Sequence, residues 1–138
     1  MSMEVEWLIL ADATQVVDNK LYLQGGGWDR LHINTFPRQQ SMGIALAMRV
    51  PWNETNEQHT FEIEIVTEDG DTVHKLGGTF EVGRAPGIPN GQDQRVQVAV
   101  NAIMNFIEAG TFNVLARIDG GPARQLVFNV VSGVKAVA

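Results

Sequence analysis

The chain has 138 residues and a mass of 15.1 kDa, and its 10 Lys and Arg against 16 Asp and Glu give a formal charge of −6. That length supports one hydrophobic core and one domain, expected over residues 1–131 with a short tail at 132–138. The lack of cysteine excludes disulfides, thiolate metal sites and thiol nucleophiles.

In chain order the dominant period is two, with Gly, Asn, Asp or Pro punctuating every ten or so residues, the pattern of an antiparallel sandwich. Val5 to Leu10 begins with alternation and ends apolar, as a strand entering a core does. Asp12 to Val17 reads as a short helical turn. Leu21-Tyr22-Leu23 and Leu31-His32-Ile33 are strands with Gly25-Gly26-Gly27 as a bend between them. Ile44, Leu46, Met48 and Val50 form one face of the next strand. Its other face, Gly43, Ala45, Ala47 and Arg49, is small enough to admit a close layer or a second subunit.

Phe61, Ile63 and Ile65 alternate with Glu62 and Glu64, the pattern of a strand with one wet face. Asp69-Gly70 then turns the chain into Thr72 to Leu76, and after Gly77-Gly78 a short strand covers Thr79 to Val82. Gly83 to Gln94 is the one long loop. Val96, Val98 and Val100 mark a strand, Asn101 to Glu108 one or two helical turns, and Phe112 to Ile118 and Leu126 to Val130 the last two strands around Asp119-Gly120-Gly121-Pro122. The expected fold is all-β, a single antiparallel sandwich of eight to ten strands with little helix.

Charge is uneven. Residues 1–69 carry 4 basic and 11 acidic side chains (4 − 11 = −7), residues 70–138 carry 6 and 5 (6 − 5 = +1), and seven acids fall between Asn53 and Asp71 with no Lys or Arg among them. Such a surface repels phosphate backbones and anionic lipid, which argues against nucleic-acid and membrane partners. The acidic start of the chain and the absence of a long apolar run point to a cytoplasmic protein.

Nothing in the spacing assigns a catalytic residue, a cofactor or a metal. His32, His59 and His74 are isolated, and their surroundings read as polar side chains on a solvent face, although a hairpin leaves room for His59 to meet His74. The acids from Glu62 to Asp71 lack a calcium-loop spacing. Gly25-Gly26-Gly27 is followed by no Lys-Ser or Lys-Thr, and none of Ser2, Ser41 and Ser132 lies in a nucleophile elbow. The residues left as an interaction surface are Trp52, expected exposed after Pro51, Arg84 in the long loop and Arg95 just after it, and Glu62 and Glu64.

Leu10-Ala11-Asp12-Ala13, Gly26-Gly27-Trp28-Asp29-Arg30, Pro51 to Asn56 leading to His59, and Phe80 to Gly87 together resemble a family of small uncharacterised bacterial proteins with a domain of unknown function. The resemblance spans roughly Val5 to Val130 and carries no reaction with it. More loosely, Glu108 to Phe112 followed by Val114, Ala116, Ile118 and Asp119-Gly120 is similar to the penultimate strand and turn of immunoglobulin-like sandwiches, with Phe112 where many of them place a corner Tyr.

Three functions follow as expectations. The leading one is a non-catalytic interaction or assembly module that binds a protein partner or itself as a homo-oligomer. A small-ligand or carbohydrate binder would use Trp52, Arg84, Arg95 and the long loop. An enzyme would need a metal or carboxylate site around Glu62, Glu64 and His74.

Overall fold

The computed structural model describes residues 3–133, which form nine strands and no α-helix. The strands are β1 (Glu4–Val17), β2 (Lys20–Gly26), β3 (Arg30–Ile33), β4 (Arg38–Val50), β5 (Gln58–Thr67), β6 (Thr72–Glu81), β7 (Gln94–Phe106), β8 (Gly110–Ile118) and β9 (Arg124–Ser132), with a single 3₁₀ turn at Trp52–Glu54. No helix among the described residues is long and apolar enough to cross a membrane. One sheet has the order β2-β1-β4-β7 and the other β3-β9-β8-β5-β6. Every pairing is antiparallel except β3 with β9, which is parallel. The two sheets make the expected β-sandwich.

The core lies between the inner faces that the period-two pattern predicts. Leu8 and Leu10 of β1, Met42, Ile44, Leu46 and Met48 of β4, and Met104 and Phe106 of β7 meet Ile63 and Ile65 of β5, Phe112 to Ile118 of β8, and Phe128 and Val130 of β9. Phe112 stacks on Phe128 at 5.3 Å between centroids, and Phe106 and Trp28 meet Phe128 edge-on at 6.3 and 6.0 Å.

Both expected helical turns are strand. Asp12 to Val17 is the distal half of β1, which leaves β4 after Ala11 and continues as a hairpin with β2. Asp18 and Asn19, both at positive φ (52° and 58°), make the two-residue turn. Asn101 to Phe106 continues β7, with Ala102, Met104 and Phe106 buried and Asn101, Ile103 and Asn105 exposed. Thr72 to Glu81 is also one strand rather than two, and the Gly77-Gly78 pair inside it makes room for Phe61. A Cβ on Gly78 would lie 3.0 Å from the Phe61 ring, and one on Gly77 would lie 2.7 Å from the Phe61 carbonyl.

The small face of β4 is covered by this chain itself. The Asn101 side chain accepts from the Thr14 N–H (3.1 Å) and donates to the Thr14 carbonyl (2.9 Å), while Gln97 donates to the Asn19 carbonyl (2.9 Å). Gly43 and Ala47 of β4 pair with those same two β7 residues, so the β1–β2 hairpin lies across β4 and buries Gly43, Ala45 and Ala47. A Cβ on Gly43 would sit 2.9 Å from Thr14 Cγ2 and 3.1 Å from the Ala13 backbone. The layer that the small residues admit is an intramolecular lid, and the face is not free for a second subunit. Strand β9 runs to Ser132 and Gly133 donates to the Ile33 carbonyl; the rest of the expected tail, 134–138, lies outside the described residues.

Candidate functional site

The residues singled out in the sequence fall into three separate groups. Trp52 and Arg84 come together. The guanidinium carbon of Arg84 lies 3.7 Å from the Trp52 ring centroid, Nε donates to Thr55 Oγ1 (2.8 Å) and Nη2 to the Trp52 carbonyl (3.2 Å). Thr55 Oγ1 in turn donates to the Trp52 carbonyl (2.7 Å) and closes the 3₁₀ turn. Trp52 is half-buried, and the cation occupies one of its faces.

Arg95 is elsewhere, forked onto Glu6 with both contacts at 3.0 Å. A register shift between Val5 and Trp7 accompanies this placement of Glu6, which also lies 3.7 Å from Arg49. The bond from Arg95 holds the Glu6 carboxyl below its ordinary range.

Glu62 and Glu64 stand on the outer face of β5, and they are not a bare acidic patch. Arg117 of β8 reaches both (3.6 and 3.4 Å), Lys75 of β6 reaches Glu62 (3.6 Å), and the Thr72 hydroxyl donates to Glu64. The hydroxyl bond, and then Arg117 with Lys75 as weaker contributors, lower the Glu64 pKa. This face is a partly neutralised ion-pair network.

Strand register separates His59 from His74, since His59 pairs with Phe80 and His74 with Ile65. His59 is not on a solvent face either; it is 3% exposed. Its Nδ1 lies 2.8 Å from Asp119 Oδ2 and its Nε2 lies 2.7 Å from the Glu54 carbonyl. Both partners are acceptors, an arrangement that favours hydrogen on both ring nitrogens, the imidazolium form. Burial alone would lower the pKa; the bonds to the Glu54 carbonyl and Asp119, with the two nearby carboxylates, outweigh it and raise the value above 6.5. Asp119 also accepts from the Thr60 N–H (2.9 Å). Carboxylate oxygens of Glu54 and Glu57 come near the ring, but a ring with both nitrogens bonded has no lone pair to give a cation. This cluster is a clamp tying the 3₁₀ turn to the β8–β9 turn.

Strand β7 presents a different kind of surface. It is a 13-residue edge strand, bonded to β4 on one side only, and from Val96 to Phe106 it carries no charge and no proline. Exposed edges are ordinarily blunted with Lys, Pro or a bulge. On the inner face Val96, Val98 and Val100 stay half-buried because the sandwich is open along this side. On the outer face Ile103 is 66% exposed, and Ile107 just past the strand is 70% exposed. Between the β7 and β6 edges lies an apolar notch of about 100 Å³ lined by Val73, Met104, Phe106, Ile107 and Phe112, room for one aliphatic side chain. This edge was not singled out in the sequence. Its signal was there in the uncharged run with two isoleucines out of phase with the core pattern.

No curated protein matches the chain. The model of DUF6941, a family of unknown function, matches residues 6–131, which takes in every strand apart from the first two residues of β1 and the last of β9. The chain therefore belongs to the DUF6941 family.

Proposed function

We propose that the protein is a non-catalytic interaction or assembly module that takes up a strand from a partner along β7. The observation that carries this reading is the long, uncharged, proline-free edge beside an apolar notch. Main-chain bonds along such an edge provide affinity, and alternate side chains provide specificity. Two apolar residues left in water at one end of it, Ile103 and Ile107, are the kind of surface that a partner covers. A finer fold reading, an immunoglobulin-like one, is supported by β8 as the penultimate strand and by its turn at Asp119-Gly120. A bacterial, cytoplasmic setting belongs to the same proposal; the resemblance read from the sequence and the cysteine-free composition agree with it.

The carbohydrate reading is less well supported, because Arg84 lies over the Trp52 ring and Arg95 is bound to Glu6. The test is affinity capture from native cell extract with wild type and Ile103→Lys as baits. A stoichiometric chain, foreign or a second copy, that is retained by wild type and lost by the variant supports the proposal. Capture of nothing, or capture indifferent to Ile103→Lys, contradicts it.

A further inference from the structure

We infer that the strand taken up by β7 is the β7 of a second copy, paired antiparallel about a two-fold axis at Asn101, so that two four-stranded sheets join into one of eight. This inference rests on the docking role proposed for β7 and names its occupant. Three features of the strand point to self-pairing.

The first is the order of side chains about Asn101. In an antiparallel pair centred there, inner-face partners are Val96 with Phe106, Val98 with Met104, and Val100 with Ala102, every one apolar. Outer-face partners are Gln97, whose amide also donates to the Asn19 carbonyl, with Asn105, and Ala99 with Ile103, a small residue against a large one. Residues directly opposite on one face are the pairs that interact most strongly. The same register sets the partner's Val96 opposite Phe106, at the notch beside Val73 and Met104.

The second is charge. The chain carries −6 overall, so copies repel except where the surface is neutral, and Val96 to Phe106 is such a strip. Its flanks carry Arg95, forked onto Glu6, before it and Glu108 after it. Antiparallel pairing brings each Arg95 near the partner's Ile107 and Glu108, whereas a parallel pair would set Arg95 against Arg95. The third is size. Thirteen residues extend about 44 Å, and with sheets stacked about 10 Å apart the open side presents a strip of about 440 Å² per copy, at the low end of specific interfaces.

Sedimentation at micromolar concentration tests the occupant, and cross-linking tests the register. Wild type is expected at twice 15.1 kDa, and Ile103→Lys, with unchanged circular dichroism, is expected to weaken self-association at least tenfold. Because the chain has no cysteine, the double variant Ala99→Cys/Ile103→Cys is free of background. Oxidation should join it to its partner as a covalent dimer. Either single variant should stay unlinked, since identical positions would lie about 13 Å apart along the strands, beyond disulfide reach. A wild type that stays monomeric overturns self-pairing, and so does a dimer that the double variant does not cross-link. If the monomer still captures a foreign chain that Ile103→Lys loses, only the occupant is wrong. If it captures none, the docking role fails as well.

Discussion

His59 Nδ1 donates to Asp119 Oδ2 over 2.8 Å, joining residues sixty positions apart, while Nε2 of the same buried ring donates to the Glu54 carbonyl. One imidazolium therefore holds the connection before β5 and the turn after β8 in place. Asp119 sits at a φ of 52° in that turn, and its backbone N–H also bonds the Thr60 carbonyl.

The clamp makes stability depend on pH in a defined direction. His59 has a pKa raised above 6.5 in the folded state, so its contribution is full below about pH 6.5 and is lost as pH rises through the folded value. For Asp119, burial raises the pKa but the Thr60 N–H and His59 outweigh it, and the folded value lies below 3.8. Its contribution is present above about pH 4 and is lost as pH falls through that lowered value. Urea unfolding from pH 4 to 9 should show greatest stability on the acidic side of neutrality and a decline toward pH 9. In His59→Gln the alkaline decline should vanish; an equal decline in both proteins would remove the imidazolium from the account. Asp119→Asn should cost about 1–3 kcal/mol at pH 6.

Register on β5 is tested by truncation. Ile63 is fully buried while Glu62 and Glu64 point outward into ion pairs. Ile63→Ala should destabilise by about 2–5 kcal/mol, and Glu62→Ala and Glu64→Ala by less than about 1. Comparable losses at all three would mean that the wet face is wrongly assigned.

The hairpin lid rests on Gly43 having no side chain. Gly43→Val drives new atoms into Thr14 and the Ala13 backbone, neither of which is the far end of a flexible chain, and should cost about 1–3 kcal/mol. Amide exchange at Ala13 to Val17 should speed up with it. Unchanged exchange there would show that the lid does not depend on contact at Gly43.

Most of the fold was legible from the alternation of apolar residues. The face Phe61, Ile63, Ile65 and the turns at Asp69-Gly70 and Asp119-Gly120 lie where the pattern put them. What misled was surface hydrophobicity. Ile103 and Ile107 are apolar and exposed, so Asn101 to Glu108 lost its period of two and read as helix. The residues that hid the end of β7 are the ones that mark it as a surface. Asp12 to Val17 misled for a related reason: half of β1 packs as a lid on a second layer rather than in the main core, so its pattern matches neither a one-sided strand nor a helix. The Asp18-Asn19 pair was the local signal for its hairpin. The clamp at His59 was not legible, because Glu54, His59 and Asp119 meet only through the packing of β5 beside β8.

The Trp52–Arg84 contact yields a spectroscopic expectation. Arg84→Ala uncovers a face of the ring, so tryptophan emission should shift, and stability should fall by about 0.5–1 kcal/mol. A panel of soluble glycans should leave wild-type emission unchanged. Quenching by a glycan, abolished by Trp52→Ala, would restore the sugar-binding reading.

Hydrogen exchange along β7 tests the docking edge most directly. In wild type at concentrations where the partner strand is bound, the β7 amides directed away from β4 should be protected, and in Ile103→Lys they should exchange at the rate of an open edge while the β4-bonded amides are unchanged. Equal, fast exchange of those outward amides in both proteins would contradict a docking role for β7.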